Sequence, residues 1–100
     1  MAAEQGEHRV VKDMTISHAE FFRIGQRVVD GERHEVHSDG MTIYRGHGTV
    51  EIKLAPESVR SMGVIRLPRT RVELVFRQMT AAEVQGFLAR FDDRFRRGGG

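Results

Sequence analysis

The sequence predicts a small α+β domain: a two-layer sandwich in which an antiparallel sheet carries an N-terminal helix and a long C-terminal helix on one face. Three observations lead there. Apolar residues alternate with polar ones from His34 to Lys53 and again from Arg71 to Arg77, which is the period of strands. An aspartate–glycine pair and a glycine–histidine pair break the first stretch at hairpin spacing. Two capping boxes, Ser17-His-Ala-Glu20 and Thr80-Ala-Ala-Glu83, open segments of helical period.

One hundred residues suit one core, so the expected layout is a flexible segment 1–13, a single domain 14–97 and a flexible glycine tail 98–100. A four-stranded sheet is expected, with a short strand near Met14 as a fifth. Behind the first cap, Phe21, Phe22, Gly25, Val28 and Val29 recur on one helical face, with Ile16 placed to staple against Phe21. Gly25 costs about 1 kcal/mol of helix propensity there, so it signals a close backbone approach. Asp30-Gly31 ends this helix.

Centring a turn on Asp39-Gly40 pairs His37 with Thr42 and Val36 with Ile43. A second turn on Gly46-His47 pairs Ile43 with Val50. Together these registers align Val36, Ile43 and Val50 in one inward row extended by Met41 and Ile52. Glu35, His37, Thr42, Tyr44, Thr49, Glu51 and Lys53 then face outward. Residues 59–68 are apolar without clean periodicity and read as a loop whose Met62, Val64, Ile65 and Leu67 either cover the open end of the core, the preferred reading, or meet another protein. In the last strand Val72, Leu74 and Phe76 point inward. Its place in the sheet is not derivable from the sequence. The closing helix carries Val84, Phe87, Leu88, Phe91 and Phe95 as a stripe, with Asp92–Arg96 and Asp93–Arg97 as ion pairs four residues apart.

The absence of cysteine excludes disulfides, thiolate metal sites and cysteine nucleophiles. No metal, cofactor or catalytic residue is assigned. His34 and His37 lie three apart on a strand and so face opposite ways. No Gly-x-Ser-x-Gly, phosphate-binding glycine loop or dinucleotide fingerprint occurs. No apolar run is long enough to cross a bilayer, and the first residues lack a secretory pattern, so a cytoplasmic address without a membrane partner is expected.

Charge gives a weak lead. Fourteen arginines and two lysines face fourteen acids, a net charge of +2. Between Arg60 and Arg77 stand five arginines and only Glu73, a local net charge of +4. The candidate interaction surface is Arg60, Met62, Ile65, Arg66, Leu67, Arg69, Arg71 and Arg77, with Tyr44 on the outer sheet face. The leading reading is a non-enzymatic protein-interaction or assembly module whose partner is another protein or a second copy as a homodimer. The first alternative is an RNA- or DNA-binding domain using the basic strand Arg66–Arg77. The second is a small ligand-binding protein or enzyme with a pocket between helix and sheet near His34 or Arg45.

The terminal Arg96-Arg-Gly-Gly-Gly100 resembles the Gly-Gly tail of ubiquitin-like sulfur carriers over those few residues. In that family the tail extends from a strand, whereas here it follows a helix directly, so the glycines read as a helix terminator.

Overall fold

A computed structural model describes residues 6–29 and 31–98. In chain order the elements are β1 (Glu7–Met14), α1 (His18–Val29), β2 (His34–His37), β3 (Gly40–Arg45), β4 (Gly48–Leu54), β5 (Ser58–Met62), β6 (Ile65–Arg77) and α2 (Ala81–Gly98). The sheet is antiparallel in the order β1-β6-β4-β3-β2, with β5 paired to β6 off that path. The α+β two-layer architecture is therefore as predicted, with six strands rather than four or five.

Each helix begins where its cap dictates. The Glu20 backbone N–H donates to Ser17 Oγ at 3.1 Å, although the Glu20 carboxylate turns to Arg23 instead of closing the box. The second box closes both ways: the Glu83 N–H donates to Thr80 Oγ1 at 3.1 Å and the Thr80 N–H to Glu83 Oε1 at 2.7 Å. Those two bonds satisfy donors that a helix start otherwise leaves unpaired.

The core lies between the sheet and the two helices. Val72, Leu74 and Phe76 of β6, Val50 and Ile52 of β4, and Met41 and Ile43 of β3 supply the floor. Phe21, Ile24 and Val28 of α1 and Val84, Phe87, Phe91 and Phe95 of α2 supply the roof. Phenylalanine rings connect the layers. Phe76 meets Phe87 edge-on at 5.5 Å, Phe91 and Phe95 lie 4.5 Å apart, and Phe95 stacks on Phe21 at 4.9 Å. Gly25 makes the approach of α1 possible, since a Cβ there would stand 3.0 Å from Met41 Sδ.

Several expectations are corrected. Residues 1–5 lie outside the description, but Glu7–Met14 is a strand rather than a flexible lead, paired residue for residue with Thr70–Arg77. Its inward positions are His8, Val10, Lys12 and Met14, and Lys12 reaches Asp92 of α2 at 3.0 Å. Asp92 is thus paired with Lys12, while Arg96 contacts Asp93 at 3.4 Å; the Asp93–Arg97 pair involves a side chain outside the description. The first hairpin turns at Ser38-Asp39, so His37 pairs with Gly40 and Val36 with Met41. The inward row is consequently His34–Ile43–Val50–Phe76, and Val36 is left 52% exposed on the edge strand. Gly40 is required inside the strand because a Cβ there would lie 1.9 Å from the Ile52 carbonyl oxygen. The second hairpin has the expected register, Arg45 with Gly48 and Ile43 with Val50. Asp30, predicted as a helix terminator, and the tail glycines Gly99 and Gly100 fall outside the described residues; Gly31 adopts φ +87° as a left-handed terminator does, and Gly98 is still helical.

The largest departure concerns residues 59–68. They do not fold over the core. After Leu54 the chain leaves β4, Ala55 N donates to the Arg71 carbonyl at 2.9 Å, and β5 then runs against the N-terminal part of β6. Leu54 opposes Val72 while Ser58 opposes Arg69, so four steps on one strand match three on the other. This is a bulge, which bends and twists the pair. Pairing with β1 stops at Thr70, and beyond it β5 and β6 continue alone as a two-stranded arm. The molecule is accordingly elongated, 52 by 26 by 24 Å.

Candidate binding arm

The arm is closed by a tight turn at Gly63-Val64, where Gly63 takes φ +61°. Five residue pairs, from Ser58–Arg69 to Met62–Ile65, make it roughly 16 Å long at the usual rise per strand residue. Directly opposed residues share a face. One face therefore carries Arg60 with Leu67 and Met62 with Ile65, and the other carries Val59 with Pro68 and Ser61 with Arg66.

A ribbon of two strands has no layer to bury either face against: Leu67 and Pro68 near its base are half-buried, and its other apolar residues are open to solvent. Val59 is 59% exposed, Met62 56%, Val64 98% and Ile65 55%. Val11 and Val36 are the other large apolar side chains exposed among the described residues. Of the two expectations for this segment, covering the core is overturned, because the two helices already close the core without it; contact with another molecule is the one left open.

The nominated residues do not form one surface. Arg60, Met62, Ile65, Arg66 and Leu67 lie on the arm, and Arg69 and Arg71 at its base. Arg77 is at the far end of β6, roughly 20 Å from Arg71 along the strand. There it shares an outer-face row with Tyr44, through Thr49. Tyr44 is itself occupied, with the Arg33 guanidinium 4.4 Å above its ring.

Ion pairing separates the arginines further. Arg77 donates to Glu51 at 2.8 Å and lies 3.5 Å from Glu7, and Arg9 links Glu7 and Glu73. The Arg77 guanidinium holds the Glu51 carboxyl below its ordinary range, and Arg9 does the same for Glu7. The outer sheet face is therefore a lattice of neutralised charge. At the arm base Arg69 grips Asp13 with both Nε and Nη2, and Asp13 is pushed down by that bond first and by Arg71 and Arg60 after it. Glu57, the other nearby acid, accepts the His18 backbone N–H at 2.8 Å. Among the described residues Arg60, Arg66 and Arg71 have no ion-pair partner. Of the basic strand Arg66–Arg77, Arg69 is bound to Asp13 and Arg77 to Glu51, whereas Arg66 and Arg71 make no ion pair; with Arg60 they place the unpaired charge on the arm and its base.

Val59, Val64 and Pro68 also lie on this arm; the sequence placed them in the apolar 59–68 segment but not among the candidate surface residues. The turn signal at Gly63 was available, but a segment without alternation does not announce itself as a ribbon.

The pocket expected near Arg45 exists as a cleft of about 430 Å³ lined by Glu32, Arg45, His47, Met79, Glu83 and Phe87, among others. Its carboxylates and its arginine are engaged with one another or with a cap: Arg45 donates to Glu32 at 2.7 Å, Arg90 reaches Glu32 at 3.3 Å, and Glu83 serves Thr80. His34 is not in its lining; its Nδ1 lies 2.9 Å from the Glu32 carbonyl. No group of three or more potential metal ligands occurs among the described residues. No described helix is long and apolar enough to cross a membrane.

Comparison with family models, with curated proteins and with solved structures returns no match.

Proposed function

We propose that this chain is an interaction module rather than an enzyme, and that it engages its macromolecular partner by inserting the β5–β6 arm. The observation that carries the reading is the exposure of Val59, Met62, Val64 and Ile65 on an arm that projects from an otherwise closed fold. Leaving four apolar side chains in water costs free energy that burial against a partner would recover, at about 25 cal/mol per Å² of apolar surface. Composition supports the same element. From Ser58 to Val72 there is neither lysine nor acid, while arginine and methionine, both enriched at interface centres, are present.

The test is capture from lysate of the source cell by the immobilised chain, alongside sedimentation of the pure chain over a range of concentrations. The wild type is expected to retain a partner or self-associate, and Met62→Asp combined with Ile65→Asp to abolish that while melting at the wild-type temperature. Binding that survives these two substitutions would remove the arm from the function.

A further inference from the structure

We infer that the partner of the arm is duplex DNA, with the ribbon entering the major groove tip first; this rests on the reading of the arm as the binding element. The first reason is charge. Arg60, Arg66, Arg69 and Arg71 stand between Ser58 and Val72 without an acid; beside the base Asp13 is ion-paired with Arg69, and Glu57 accepts the His18 N–H while keeping its charge, so four arginines face two carboxylates. Arg60, Arg66 and Arg71 make no close ion pair among the described residues, Asp13 acting on Arg60 and Arg71 only at longer range, and guanidinium is the group best matched to phosphate oxygens and to guanine edges.

The second reason is the distribution of that charge. Arg60 and Arg66 occupy opposite faces of the ribbon, one opposed to Leu67 and the other to Ser61. A flat protein surface meets one face of a ribbon and leaves the other cation in solvent. A groove walled by phosphates on both sides meets both. Two arms paired with each other would bring their arginines together, which disfavours a second copy as the occupant.

Dimensions decide the type of nucleic acid. A two-stranded ribbon fits the major groove of B-DNA, about 12 Å wide and 8.5 Å deep, and an arm of roughly 16 Å is long enough to reach its floor. The deep, narrow major groove of duplex RNA does not admit it. Single strands are held by stacking on aromatic rings, and the arm from Ser58 to Arg69 has none. The apolar tip formed by Met62, Val64 and Ile65 then meets thymine methyl groups and base edges at the groove floor.

Fluorescence anisotropy with labelled duplex DNA, duplex RNA and single-stranded DNA of one sequence, titrated at increasing sodium chloride, tests the inference. Three phosphate contacts give a slope of log affinity against log salt of about −3 for duplex DNA. Arg60→Gln with Arg66→Gln is expected to reduce that slope by about 2 and weaken low-salt binding about tenfold or more. Arg77→Gln, on the neutralised outer face, should change neither, and thermal melting should show all variants folded. Absence of salt-dependent duplex DNA binding, an unchanged slope in the double variant, or equal affinity for duplex RNA and single strands overturns the proposal. If Met62→Asp and Ile65→Asp abolish capture of a protein from nuclease-treated lysate while duplex DNA is not bound, the arm remains the binding element and DNA is excluded as its occupant.

Discussion

Strand β6 lives in two environments, and the contrast between its halves explains most of the molecule. From Thr70 to Arg77 it is the second strand of the sheet, hydrogen-bonded to β1 on one side and β4 on the other, with Val72, Leu74 and Phe76 fully buried. From Ile65 to Arg69 it has β5 alone for company, and Ile65 is 55% exposed. The same backbone conformation thus serves stability in one half and, in the proposed function, recognition in the other. Thr70 marks the boundary: it is completely buried, and its hydroxyl donates to the Ile16 carbonyl at 2.8 Å, tying the strand to the entrance of α1.

The sharpest way to break this contrast is to truncate equivalent apolar residues on either side of Thr70. Phe76→Ala removes a ring packed edge-on against Phe87 and should cost about 3–5 kcal/mol in chemical denaturation. A loss below about 1 kcal/mol would mean that the core is not assembled around β6. At the boundary, Thr70→Val leaves the Ile16 carbonyl without its donor and should cost about 1–3 kcal/mol. Urea melts read by circular dichroism measure both.

A smaller effect is expected from acid. Asp13, Glu7 and Glu51 are held below their ordinary range by Arg69, Arg9 and Arg77 respectively. Their unfolded forms take up protons before the native forms do, so the stability they add is present above the ordinary carboxylate range and is lost as the pH falls below about 4. These pairs are solvent-exposed, so the loss is modest and shrinks further at high salt, which thermal melts at pH 3 to 6 in low and high salt will measure. The smallest effect belongs to the arm. Met62→Ser with Ile65→Ser should alter stability by no more than about 0.5 kcal/mol, because neither residue contacts the core. A larger loss would show that the arm folds back on the body.

The sequence was a good guide where a layer had one wet and one dry face. Val72, Leu74 and Phe76 alternate with Arg71, Glu73 and Arg77, and the second hairpin could be registered to the residue, because burial imposes a period of two. Both helices were marked by their caps and phenylalanine spacing. The guide failed where that constraint is absent. β1 fills inward positions with His8 and Lys12, the latter ending on Asp92 of α2, so its pattern does not look like a strand. The arm buries neither face and has no reason to alternate. Gly40 misled differently: beside Asp39 it suggested a turn glycine, but its role is to leave room for the Ile52 carbonyl, and it has no positive φ. For the candidate site, Arg60 to Leu67 were legible from charge and apolarity. Which arginines are free depended on Asp13 and Glu7, far away in sequence.

One uninterrupted strand of thirteen residues joins the tip beside Val64 to the ring of Phe76. It can act as a mechanical lever whose short end sits in the partner and whose long end is clamped by two neighbours. Occupancy at the tip would stiffen the clamp, so slower amide exchange at Val72 to Phe76 would report a partner that never touches them.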